Sequence, residues 1–305
     1  MHRRQFLGSA AAAACSASAI AAAALAAPAS MLPSVTSQPL PGDTTTSSRF
    51  PLSVMLWTVH TELPFDQRLE MVAQAGYHAA QLVNEYQGWS TDDFARARRK
   101  RESLGIVFDA TSGINGSICD PAQRESTLRE IQAHLPVLEE LQSSRLILLS
   151  GNRVEGLSHA QQHSACVETI KAAADMAAAR NIDLLIENID PEENPRYFLT
   201  SVTEGFDVVR EVNRPNVKFL YDFYHAQIAE GNLIAKLDKN IDLLGLVHVA
   251  DVPGRHQPGT GEINYPNIFR KLHELHYCGN VAMEFIPTGD TVASLRAARE
   301  LAANV

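Results

Sequence analysis

Four short apolar runs in the second half of this 305-residue chain close on the same kind of residue, and that fixes most of what it can fold into. IDLLIEN carries Glu187, VKFLYD ends on Asp222, LLGLVHVAD carries His248 and NVAMEFIP carries Glu284. The intervals between these residues are 35, 26 and 36, about the length of one strand–helix–loop unit in an α/β barrel. One polar residue ending an apolar run is tolerable anywhere. Four of them at the same end of successive units describe a single site. The pattern predicts an α/β chain folded as one (β/α)8 TIM barrel with a divalent-metal centre at its C-terminal mouth.

The rest of the sequence keeps the same rhythm. From Pro51, strands are predicted in PLSVMLWT, YHAAQLV, IVFDATSG, RLILLSG and the four runs above. These runs are short and hardly alternate, as expected of parallel strands buried on both faces. Amphipathic stretches separate them, including STDDFARARRKRESLG, with Ser90 or Thr91 as N-cap, and a long segment from Pro121 to Leu141 that Pro136 should kink or divide. An open doubly wound sheet would also alternate in this way. Such sheets bind nucleotides through a glycine-rich loop after the first strand, and none stands here. The barrel is predicted to span residues 51–305.

Two segments precede it. Residues 1–30 begin with Arg3-Arg4 before Gln5-Phe6-Leu7 and continue into a mildly apolar alanine run, which resembles a twin-arginine signal peptide. That predicts export to the periplasm by the twin-arginine translocation machinery, which carries folded proteins already loaded with metal. Residues 31–50 are rich in Pro, Ser and Thr without periodicity and read as a disordered linker. A formal charge of −9 argues against a nucleic-acid partner, and the basic run Arg96–Arg101 reads as a solvated helix face. No cysteine pair has CxxC or zinc-finger spacing, so Cys119, Cys166 and Cys278 are expected to be free and mostly buried.

Three carboxylates and one imidazole suit one divalent ion of the Mn, Mg or Co type, with Zn less favoured in the absence of thiolates. Further residues carry a family likeness. Tyr221-Asp222-Phe223-Tyr224-His225, Gln227–Gly231 and above all ADVPGRHQPGTGEINY, residues 250–265, resemble the hydroxypyruvate isomerases. These belong to the xylose-isomerase-like barrels, beside ketose 3-epimerases and apurinic endonucleases. The resemblance implies that Glu187 and Glu284 both bind metal and flank the substrate as a proton-transfer pair. It implies that Asp222 is a pure ligand, that His248 completes the set, and that His225 and Arg255 hold substrate oxygens. Glu193 falls where ketose epimerases place a further substrate contact, Trp57 is a candidate pocket wall, and the family likeness implies a homodimer. Two departures bear on the substrate: the isomerase pattern carries glutamine where His248 stands, and IEPIN where Ile186–Asp190 stand.

These residues suit removal of a proton from carbon beside a carbonyl, through an enediolate. Its return to the neighbouring carbon isomerises a small hydroxy-carbonyl compound, of the hydroxypyruvate to tartronate semialdehyde type. Its return to the other face of the same carbon epimerises a ketose. Alternatives are therefore a ketose 3-epimerase or another sugar isomerase or dehydratase and, in a different class, an exported sugar-binding module with an inactive site. In the loop after the seventh strand, Glu262 is expected to bond Arg255 or a neighbouring loop. Gly254, Gly259 and Gly261 are expected to supply positive φ.

Overall fold

The computed structural model describes residues 50–304, so residues 1–30, expected to be a signal peptide, and residues 31–49 of the expected linker lie outside the described residues. Eight parallel strands close into a barrel in sequence order. They are β1 (Leu52–Met55), β2 (Ala79–Leu82), β3 (Val107–Thr111), β4 (Arg145–Leu149), β5 (Asp183–Glu187), β6 (Val217–Asp222), β7 (Leu244–Val249) and β8 (Asn280–Met283). Around them run α1 (Phe65–Gln74), α2 (Thr91–Ser103), α3 (Arg124–Leu141), α4 (His159–Ala178), α5 (Val202–Val212), α6 (Phe223–Ala229), α7 (Leu233–Asn240), α8 (Tyr265–Glu274) and α9 (Thr291–Ala303). No described helix is long and apolar enough to cross a membrane.

The apolar residues divide into two layers. Met55, Ala110, Ile147, Leu185, Leu220 and Leu246 fill the inside of the barrel. A larger shell, with Phe206, Phe219, Ile170 and Phe269 among its members, packs helices on strands. Strand side chains alternate faces with a period of two, so the residue two beyond an inner leucine also points inward. Glu187 follows Leu185, Asp222 follows Leu220 and His248 follows Leu246 in this way. The hydrophobic plug therefore aims the ligands.

Local chemistry mostly follows expectation. Ser90 caps α2 and exchanges hydrogen bonds with Asp93 in a capping box. Three cations of the basic run on that helix pair with carboxylates, Arg96 with Asp93, Arg98 with Glu140 and Lys100 with Glu70, and buried Arg101 lies over the Phe108 ring. Three expectations are corrected. Pro136 does not divide α3, which runs unbroken with Ile131, Leu135, Leu138 and Leu141 buried on either side of the proline; packing outweighs the missing hydrogen bond. Phe50, assigned to the linker, is core, its ring 6.4 Å from that of Phe269. Cys119 and Cys166 are free and buried, but exposed Cys278 is disulfide-bonded.

Candidate metal centre

Glu187, Asp222, His248 and Glu284 meet at the C-terminal mouth of the barrel. All four are buried, and one potential ligand atom from each lies within 4.8 Å of all the others. Asp222 and His248 are direct neighbours in the β6–β7 register.

Three of the four side chains commit one atom to the scaffold. Asp222 caps α6, its Oδ1 accepting from the backbone N–H of Tyr224 at 2.7 Å and of His225 at 3.4 Å. Glu284 Oε1 accepts from the Trp57 indole at 2.8 Å. His248 Nε2 stands 2.8 Å from Gln81 Oε1, while Gln81 Nε2 donates to Asp109 Oδ2 at 3.1 Å and to Ser53 Oγ at 3.3 Å. Because the Asp109 carboxylate calls for the amide N–H, the amide oxygen must face His248, and Nε2 carries its hydrogen. That turns Nδ1 toward the carboxylates, the arrangement in which a histidine ligand is oriented by an outer carbonyl.

The remaining atoms are left over. Asp222 Oδ2, His248 Nδ1 and Glu284 Oε2 are buried without a hydrogen-bond partner. Such groups are costly unless something occupies the space between them. His248 Nδ1 is 2.7 Å from Glu284 Oε2 and 3.4 Å from Glu187 Oε1; the Arg255 guanidinium, 3.0 Å from Glu284 Oε2, forms an ion pair without hydrogen-bond alignment. A hard, anionic donor set with one imidazole, three of its atoms without a hydrogen-bond partner, fits a divalent cation.

Electrostatics separate the two glutamates. Burial raises the Glu187 carboxyl above its ordinary range. Burial acts on Glu284 in the same direction, but the Arg255 guanidinium and the His248 ring overcome it and hold that carboxyl well below the usual range. Burial alone would lower His248, yet the Glu284 and Glu187 carboxylates raise it well above normal.

A second group stands beside the first. His225, on the first turn of α6, presents Nδ1 to Asp190 Oδ2 at 2.6 Å and Nε2 toward Asp222 Oδ2 at 3.5 Å. Burial would lower its pKa, but the Asp222 and Asp190 carboxylates lift it to about 9. Arg255 Nη1 donates to both oxygens of Glu193 at 3.0 Å, and its guanidinium lies between the rings of Trp57 and Tyr224 at 5.4 and 5.0 Å. Arg255 itself adopts a left-handed backbone, φ 56°. The loop bearing it is tied by Asp251, whose carboxylate accepts from the backbone N–H of Gly259, Gly261 and Ile263.

All eight residues expected from the sequence therefore lie at one end of the barrel, and five of them, Trp57, Glu187, Glu193, Asp222 and Glu284, contact His248 or Arg255. Glu193 is placed against Arg255, and Trp57 against Glu284 and Arg255. Trp89 instead packs on Phe65 and Phe94. Glu262 bonds Gln227, and only Gly254 and Gly259 have positive φ; at Gly261 a side chain would strike the Val252 carbonyl. Sequence reasoning passed over Gln81, Asp109, Asp190 and Asp251. For Asp251 a signal existed, a lone acid opening a glycine-rich loop. The strand residues Gln81 and Asp109 gave none, since the register shift between Ala80 and Gln81 decides which side chains enter the barrel.

The profile of the xylose isomerase-like TIM barrel family matches residues 69–302. The chain is 31% identical over 246 residues to the 2-oxo-tetronate isomerase of Haemophilus influenzae, covering 79% of this chain and 95% of that one. It is 30% identical over 240 residues to the hydroxypyruvate isomerase of Escherichia coli, with 77% and 93% covered. Among solved structures it is similar to an AP endonuclease, family 2, from Brucella melitensis, with a TM-score of 0.73, 30% identity, and 81% and 96% of the two chains covered.

Proposed function

The chain belongs to the xylose isomerase-like TIM barrel family, and from that premise we propose that it is a divalent-metal-dependent isomerase of small hydroxy-carbonyl acids, of the hydroxypyruvate to tartronate semialdehyde type. The observation that carries this reading is the pair of glutamates with unlike proton affinities on a cluster whose remaining atoms lack partners. Glu187, Asp222, His248 and Glu284 would hold Mn, Mg or Co in preference to Zn, and the ion would supply Lewis-acid stabilisation of the enediolate oxygens. Glu187, whose proton affinity burial raises, takes the proton from the carbon bearing the hydroxyl. A proton is returned at the former carbonyl carbon, while a hydroxyl proton crosses from one oxygen to the other, so the two compounds are isomers. His225 and Arg255 hold the substrate oxygens, and the Trp57 and Tyr224 rings keep the guanidinium in place. Residues 1–30 would direct the folded protein to the periplasm.

A second reading, a ketose 3-epimerase, is favoured by His248 in place of the isomerases' glutamine. A nuclease is disfavoured by the net charge of −9 and by the paired cations of α2.

Proton NMR in D2O tests the choice, with the Mg-loaded protein, hydroxypyruvate in one sample and four- to six-carbon keto acids and ketoses in others. Conversion of a keto acid with deuterium at the new hydroxyl-bearing carbon is expected. Deuterium appearing only at a ketose C3 would replace the isomerase reading with the epimerase. Metal binding with no exchange into any compound would leave a binding protein.

A further inference from the structure

We infer that Asp190 is a positioning residue of the reaction: it locks the His225 ring so that Nε2 faces the mouth of the metal cluster. This rests on the reading of His225 as the group that meets a substrate oxygen.

Asp190 lies three residues beyond Glu187, outside the strand, yet it is fully buried. A carboxylate there must be fully bonded or costly. Its Oδ1 accepts from the backbone N–H of Glu192 at 2.8 Å and of Glu193 at 2.9 Å, which closes an Asx turn and fixes the rotation of the group. Oδ2 is thereby aimed at His225 Nδ1, 2.6 Å away. A contact this short to a carboxylate requires the hydrogen on Nδ1. The Asp190 backbone N–H, 3.4 Å from the same nitrogen, is too distant to compete.

The other end of the histidine is held as firmly. The α6 backbone starts directly on Asp222, whose side chain caps it, so the Cα of His225 is set one turn from that residue. With both the backbone and Nδ1 fixed, the ring has no freedom left. Nε2 ends 3.5 Å from Asp222 Oδ2, too far for a good hydrogen bond, and faces the mouth. The turn that carries Asp190 also carries Glu193, which pairs with Arg255. One short segment therefore backs both His225 and Arg255.

A purely structural tie between this turn and α6 would look the same in the coordinates, so the test must separate the two. Kinetics of Asp190→Ala, Asp190→Asn, His225→Gln and the two double variants are compared on the substrate identified by NMR. Asp190→Ala is expected to lower kcat by about 10–100-fold, as losing an orienting partner commonly does, with little change in KM. Asp190→Asn, which keeps an acceptor, should recover part of it. In the His225→Gln background neither substitution should cost anything more. Full additivity, or parental kcat in Asp190→Ala, overturns the inference. A readout independent of turnover uses 15N-histidine-labelled protein: a strongly downfield imidazole N–H resonance from His225, present in the parent and lost in Asp190→Ala. If that resonance is found but no compound reacts, the proposed function has failed and the locked ring stands. Its absence from the parent spectrum refutes the lock whatever the activity.

Discussion

The four side chains Glu187, Asp222, His248 and Glu284 and the trio Asp190, Glu193 and His225 contain the same functional groups, and in both sets ligand atoms lie within 4.8 Å of one another. They differ in what is left over. In the trio every carboxylate oxygen is spoken for, by the backbone at Glu192 and Glu193, by the His225 ring or by Arg255. In the quartet three buried atoms have no hydrogen-bond partner. Clustering alone would make two metal sites of these residues. Counting partners makes one candidate metal site and one brace beside it.

The comparison can be broken by mutation, and the largest effect should come from the quartet. Glu284→Gln should reduce turnover by more than about 10³-fold, since it removes both a proton-transfer group and a ligand. Activity within a few-fold of the parent, in a steady-state assay, would sink the site assignment. Next comes metal response. Mn at a hundredfold excess over its Kd should raise the Tm of the chelator-treated protein by about 5–10 °C. Asp222→Asn should abolish that rise in a thermal melt while Asp190→Asn retains it, and the reverse result would exchange the roles of the two clusters.

A smaller effect is expected from Trp57→Phe. The ring survives to face Arg255, but Glu284 Oε1 loses its indole donor, so kcat/KM should fall by about 10-fold, a hydrogen bond to a charged group being worth 1.5–3 kcal/mol. The smallest effect on turnover lies beneath the quartet. Burial raises Asp109 from its ordinary 3.8 to about 6. A raised carboxyl favours folding below its unfolded pKa, and this advantage is lost as pH climbs from 3.8 and is gone above about 6. Asp109→Asn should therefore stabilise the protein at pH 7.5, by at most about 3 kcal/mol, and change little at pH 3.5. Equal melting shifts at both pH values would show that the Asp109 carboxyl titrates alike in the folded and unfolded chain.

Much of the fold was legible because strand and helix patterning in this chain is local. Leu185, Leu220 and Leu246 stand two residues before their ligands, and a period of two needs no knowledge of neighbours. The quartet was legible for that reason. What was not legible depends on partners far away in sequence. Gln81 meets His248 across 167 positions, and Asp190 meets His225 only once α6 has been started by Asp222. Glu193 was recognised by its place near Glu187, but its engagement with Arg255 is set by the loop that Asp251 folds. That α3 would continue past Pro136 was not legible, because the missing hydrogen bond was weighed without the buried leucines around it.

The junction at Asp222 has a consequence for how such a protein can change. Strand and helix meet on that one residue with no linker between them, so an insertion there would shift a ligand and His225 together and remove the helix cap as well. Over generations this joint should stand still. Diversity in what the enzyme accepts should accumulate instead in the segments 112–123, 150–157 and 194–200, which can lengthen while Asp190, Glu193 and the Asp222–His225 junction stay in place. Lineages that share the Asp222–His225 spacing and differ in those three segments would then mark out the paths by which one barrel acquires new substrates.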